Sequence, residues 1–136
     1  MILIVDDDNA VRTSISLALT RKGFDCKAVS TEAEMLDAVR GGKIRLVILD
    51  MNLTLSTTGE QGIELLRKIK VLSPELPVIL ITAWGTIPLA VEGMNHGAAD
   101  FITKPWNNAD LTAKVRRLLA LSDDNRRKQH HIDTLD

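Results

Sequence analysis

A single cysteine, Cys26, is all that the 136 residues hold. No internal disulfide can form, and Cys26 reads as a small packed residue. Zinc-ligand spacing is also missing. His96 stands alone, and His130 and His131 are adjacent in a polar stretch, so all three read as surface residues. Neither charge is in excess: 17 Lys and Arg against 18 Asp and Glu leave a formal net charge of −1, which gives this segment no bulk electrostatic case for binding nucleic acid. Long hydrophobic runs are absent. The first, Ile2–Val5, has no basic residue before it and stops after four residues at Asp6-Asp7-Asp8, unlike a signal peptide. What is present is an ordinary globular balance, 45% hydrophobic and 26% charged, which fits neither disorder nor a membrane span. The expectation is a soluble, cytoplasmic protein of a reducing compartment, with no membrane partner and one domain of common size.

Short apolar runs alternate with amphipathic stretches along the chain. The runs are Ile2–Val5, Phe24–Val29, Leu46–Leu49, Val78–Ile81 and Phe101–Ile102. Three of them (ILIV, LVIL, VILI) are apolar at every position, as strands buried on both faces of a parallel sheet are. The second alternates, placing Phe24, Cys26 and Ala28 on one side, as in an edge strand. Between the runs lie helical stripes. Val11, Ile15, Ala18 and Leu19 form one, stopped at Gly23; Ala33, Leu36 and Val39 form another, ended by Gly41-Gly42. A third carries Ile63, Leu66, Ile69 and Val71 before Pro74. The fourth starts at Thr86 with Pro88 in its first turn, where a missing N–H does no harm. The fifth runs from about Asn107 through Leu111, Val115, Leu118 and Leu119. The fold class expected is α/β: a (βα)5 doubly wound, five-stranded parallel sheet in the flavodoxin-like order 2-1-3-4-5, with helices on both faces. Ligands of such sheets sit beyond the carboxyl ends of the strands, where the strand order reverses.

The aspartates fall at that edge. The first strand ends in Asp6-Asp7-Asp8 and the third in Asp50. If those strands are neighbours, Asp6, Asp7 and Asp50 converge. Carboxylates roughly 5 Å apart repel by about 3 kcal/mol per pair at an effective dielectric near 20. A cluster of oxygen donors of that kind suits Mg2+, which takes one or two carboxylates and keeps waters or a phosphate. The simpler reading is helix capping. It serves for Asp8, but capping needs one residue and leaves Asp50 unexplained. The fourth strand ends in Thr82-Ala83, a hydroxyl and a backbone N–H able to hold a phosphoryl oxygen, and the fifth leads into Lys104-Pro105, an ammonium at the same rim. Each alone reads as a solvated loop residue. Four strand ends with a carboxylate nucleophile, a divalent-ion site, a hydroxyl and a lysine are the parts of in-line phosphoryl transfer.

Asp6-Asp7, Asp50, Thr82-Ala83 and Lys104-Pro105, in this order and at these spacings over about residues 1–121, resemble the response-regulator receiver family of two-component signalling. The resemblance implies that a sensor histidine kinase or phosphotransfer protein delivers a phosphoryl group to Asp50. It implies that Asp6, Asp7, the Asp50 carboxylate and the Asn52 backbone carbonyl hold Mg2+, and that Lys104 contacts the phosphoryl group. A cis Lys104–Pro105 peptide is usual in the family, and Thr82 would swing toward the phosphate, coupled to the Phe101 ring. The plainer reading of Phe101 is a core aromatic. Trp84, two residues after Thr82, would border the phosphoryl group and shield it from water. Such a domain is no enzyme acting on outside substrates; it catalyses its own phosphorylation and dephosphorylation. Residues 122–136 read as a linker or C-terminal tail.

The stretch TAWGTIPLAVEGMNHGAADFITKPW is similar to receivers of nitrogen-regulation-type transcription activators, which implies a transcriptional output. Output is expected through the fourth helix, fifth strand and fifth helix. There Ile87 and Leu89 beside Lys114, Arg116 and Arg117 form a mixed patch suited to a phosphorylation-dependent homodimer, unless Ile87 and Leu89 simply pack inside. One departure from the family stands out. The glycine that follows the phosphorylated Asp by about eight residues is here Gly62, four residues later, and Thr54 stands where proline is usual. The loop is longer, and the geometry of kinase docking there is expected to differ.

Two other classes share parts of this pattern. A haloacid-dehalogenase-like phosphatase would use DxDxT, and Asp50-Met-Asn-Leu-Thr approaches it, but Asn52 cannot serve as the general acid and the motif belongs on that family's first strand. A flavodoxin-like cofactor binder needs a phosphate loop after the first strand, where three aspartates would repel FMN. A structural pseudo-receiver would lack part of the site.

Overall fold

The computed structural model describes residues 1–51, 60–83 and 87–135. Five strands and five helices alternate: β1 (Ile2–Val5), α1 (Asn9–Thr20), β2 (Cys26–Val29), α2 (Glu32–Arg40), β3 (Leu46–Asp50), α3 (Glu60–Leu72), β4 (Val78–Ala83), α4 (Ile87–Asn95), β5 (Asp100–Lys104) and α5 (Asn108–Leu135). All four strand pairings are parallel, in the order β2-β1-β3-β4-β5. The expected (βα)5 architecture and strand order are both present.

The uninterrupted apolar runs follow from burial on two faces, because successive strand residues point to opposite sides. Leu3, Val5, Val47, Leu49, Val78 and Leu80 share one core layer with Met35 and Val39 of α2 and with Leu66 and Ile69 of α3. Ile4, Ile48, Ile79 and Ile81 point the other way and pack with Ile15 and Leu19 of α1 and Leu111 and Val115 of α5. α4 lies on the first of these faces: a Cβ on Gly93 would meet Leu80, Ile63 and Leu66.

Helix ends obey local chemistry. Asp8 caps α1 by accepting from the Ala10 N–H, and Thr31 caps α2 by accepting from Glu34. Asn107 accepts from Ala109 and Asp110 at the start of α5. Gly23 after α1 and Gly42 after α2 take positive φ, +91° and +77°, where a side chain would be strained.

Three details differ from the sequence pattern. Val71 is 81% exposed and does not continue the α3 stripe, because Ile69 is the last residue of that stripe to reach the core before the helix ends at Leu72. In α2 the buried positions are Met35, Ala38 and Val39, whereas Ala33 faces solvent and Leu36 is half-buried. The third is α5, which runs on to Leu135, past its apolar stripe of Leu111, Val115, Leu118 and Leu119; a linker or tail over residues 122–136 is compatible with that helix. No glycine or proline interrupts the sequence from Asn107 onward, so nothing local ends the helix.

Candidate functional site

The strand order reverses between β1 and β3: the chain leaves β1 for β2 on one side and returns to β3 on the other. Their carboxyl ends therefore border a crevice that no crossover covers. Asp6 follows β1 and is fully buried, Asp50 is the last residue of β3 and also buried, and Asp7 is exposed. A carboxylate oxygen from each lies within 4.8 Å of the others. Asp8 points away into its cap, and its own N–H donates to Asp6 Oδ1 at 2.9 Å.

Lys104 closes the cluster from β5. Its Nζ lies 3.5 Å from Asp50 Oδ1 and 3.6 Å from Asp6 Oδ2. β5 and β3 flank β4, so they are separated by about 10 Å at ordinary strand spacing. The lysine must therefore lie across the end of β4. There Thr82, fully buried, pairs in register with Thr103, and Ala83 pairs with Lys104. The Thr82 hydroxyl approaches the Ala83 carbonyl at 3.4 Å. Phe101, half-buried, packs on the core layer that holds Leu80, its register partner. The Lys104–Pro105 peptide is cis.

The electrostatics leave Asp6 under strain. Burial above all, then the charge of Asp50, pushes its carboxyl above the ordinary range, opposed by the Asp8 N–H and by Lys104. Asp6 Oδ2 is buried without a hydrogen-bond partner among the described residues. Among the described residues, Lys104 brings one positive charge to Asp6 and Asp50, fewer than the cluster has carboxyl groups. A buried acceptor lacking a donor, inside a cluster of oxygen ligands, is the chemistry that a hard divalent cation satisfies. The residues present fit Mg2+.

Asn52 and Trp84 lie outside the described residues, as do Thr54 and most of the longer loop after Asp50. Gly62, at the loop's far end, sits against the strand: a Cβ there would lie 2.5 Å from the Met51 carbonyl oxygen. The patch expected on α4 and α5 needs correction. Leu89 packs against the core, Arg116 stacks 5.9 Å from the Phe24 ring, and among the described residues the exposed large apolar side chains of α4 are Val91 and Met94. The side chain of Ile87 is not described. Arg12 joins the site without having been singled out by the sequence pattern. Its guanidinium donates to the Asp6 backbone carbonyl at 2.7 Å and to Asn9 Oδ1 at 3.2 Å, holding the β1–α1 turn. An arginine in the first turn of a helix that follows an acidic strand end was the available signal. Cys26 is half-buried, and burial pushes its thiol up, which suits a packed, unreactive role. Among the described residues no helix is long and apolar enough to cross a membrane.

Comparison with known proteins agrees with this geometry. Residues 2–116 match the model of the response regulator receiver domain, and the chain belongs to that family. It is 36% identical over 114 residues to the transcriptional regulatory protein FixJ of Bradyrhizobium diazoefficiens, covering 84% of this chain and 54% of that protein. It is 34% identical to the C4-dicarboxylate transport transcriptional regulatory protein DctD of Rhizobium meliloti, covering 85% of this chain and 24% of DctD. The chain thus spans about half, or less, of these relatives. Among solved structures, the receiver domain of NtrX from Brucella abortus superposes with a TM-score of 0.82 at 35% identity, covering 88% of this chain and 98% of that one. The fold, the family and the likeness to receivers of transcription regulators are thereby established.

Proposed function

We propose that the chain is a Mg2+-dependent phosphoacceptor switch whose phosphorylated residue is Asp50. The observation that carries this reading is the meeting of Asp6, Asp7 and Asp50 within 4.8 Å, with Lys104 spanning Asp6 and Asp50. Asp6, Asp7 and one Asp50 oxygen would hold the ion, with the Asn52 carbonyl as a further ligand. When bound, Mg2+ draws charge from the phosphoryl oxygens as the group transfers.

The other Asp50 oxygen is the nucleophile. It attacks phosphorus in line with the bond to the donor nitrogen of a phosphohistidine on a sensor kinase or phosphotransfer protein. The new O–P bond forms as the N–P bond breaks, and that bond's electron pair leaves with the donor nitrogen. Lys104 exchanges a carboxylate contact for a phosphoryl oxygen. The Thr82 hydroxyl and Ala83 N–H hold the others.

Drawing Thr82 toward the phosphate frees space for the Phe101 ring, so phosphorylation changes the α4–β5–α5 surface that governs an output, transcription by likeness to the relatives. The reading implies a cytoplasmic protein and a phosphorylation-dependent homodimer. The test is mass spectrometry after incubation with acetyl phosphate and Mg2+. One phosphoryl group should be gained, and it should be lost with chelator or in Asp50→Ala. Full labelling of Asp50→Ala overturns the assignment.

A further inference from the structure

α5 reaches Phe101 through one side chain. Lys114, half-buried on α5, donates from Nζ to the Phe101 backbone carbonyl at 2.9 Å and lies 6.0 Å from the centroid of the Phe101 ring. Two carboxylates hold the ammonium there, Asp100 Oδ1 at 3.6 Å and Asp110 Oδ2 at 3.5 Å. Asp100 is itself anchored. Its Oδ1 accepts the Phe101 N–H at 2.8 Å, and its Oδ2 accepts from Arg117 at 2.6 Å. Phe101 is therefore gripped at its N–H, its carbonyl and its ring by charged groups of one network that ties β5 to α5.

We propose that Lys114 is a positioning residue that holds the Phe101 ring in its present place and so opposes the switch. The inference rests on the proposed function, in which the ring moves when Asp50 is modified. In the present arrangement Lys104 pairs with both Asp50 and Asp6. In this proposal the ring leaves the ammonium on moving toward Thr82, whereas the bond from Lys114 to the Phe101 carbonyl does not require the ring to stay. The cation–ring contact thus favours one of two arrangements, and a contact present in only one state shifts the equilibrium by its own strength. Asp100 and Asp110 keep the ammonium over the ring, which makes the surface charge of α5 part of the switch.

The test is the affinity for beryllofluoride with saturating Mg2+, measured by calorimetry on the full chain. Lys114→Met keeps the length and removes the charge; it should bind about threefold to tenfold more tightly, and Lys114→Arg should stay near wild type. Asp100→Asn, which keeps an acceptor for the Phe101 N–H but loosens Lys114, should shift affinity in the same direction by less. In a Phe101→Leu background the effect of Lys114→Met should shrink, which a general loosening of α5 would not produce. Equal affinity in wild type and Lys114→Met overturns the proposal, as does an undiminished effect without the ring. Failure of the wild-type chain itself to bind beryllofluoride would instead sink the phosphoacceptor reading on which it rests.

Discussion

Gly62 in the first turn of α3 packs on the backbone of Met51, the residue after Asp50: an added Cβ would lie 2.5 Å from the Met51 oxygen and 2.9 Å from its Cα. Backbone on both sides leaves no flexible side chain to yield. The helix therefore positions the end of β3, and through it the Asp50 carboxylate. Gly62→Ala should destabilise the fold by about 2 kcal/mol, the scale of overpacking a tight core, and slow the phosphorylation of Asp50. Denaturant titration and the rate of labelling by acetyl phosphate check both. Wild-type values in each would show that α3 can shift without disturbing β3.

Asp6 and Asp7 should behave differently although they are neighbours. Asp6 is buried and its carboxyl is pushed up by burial and by Asp50; Asp7 is exposed. In chelator at neutral pH, Asp6→Asn should raise the melting temperature, since the amide retains an acceptor for the Asp8 N–H without a buried charge. Asp7→Ala should leave it nearly unchanged. Stabilisation by added Mg2+ should fall sharply in both variants.

The pH dependence has a definite sign. A carboxyl whose folded pKa is raised adds stability when protonated and loses it as pH rises through the folded value. The stability advantage of Asp6→Asn over wild type, in chelator, should therefore be small near pH 3. It should grow as pH rises above the ordinary carboxylate range toward neutrality. Unfolding curves at several pH values measure it, and an advantage that shrinks with rising pH would contradict the assigned direction.

The dimer prediction is tested by light scattering with and without beryllofluoride. Among the described residues, Val91 and Met94 are the exposed large apolar side chains that α4 offers for contact. Beryllofluoride should double the mass at high protein concentration, and Val91→Asp should prevent it. A mass unchanged by beryllofluoride would favour signalling as a monomer.

Much of this protein is carried by local pattern. Apolar tetrads such as ILIV and LVIL announce strands buried on both faces, and Gly23 and Gly42 mark where helices end, because these signals depend on neighbours in the chain. Asp50, Asp6 and Lys104 were legible as well, since a strand's last residue lies at a known edge of a parallel sheet. Other features needed the assembled fold. That Asp6 is buried while Asp7 is exposed depends on which neighbour each strand end meets. Arg116 turns to Phe24, and Lys114 to Phe101, contacts with distant segments that the stripe of Leu111, Val115 and Leu118 cannot identify. Local pattern along the chain suffices to place these chemical groups at the sheet's carboxyl edge. Their distances and burial come from the assembled fold, because both arise from contacts between segments far apart in the chain.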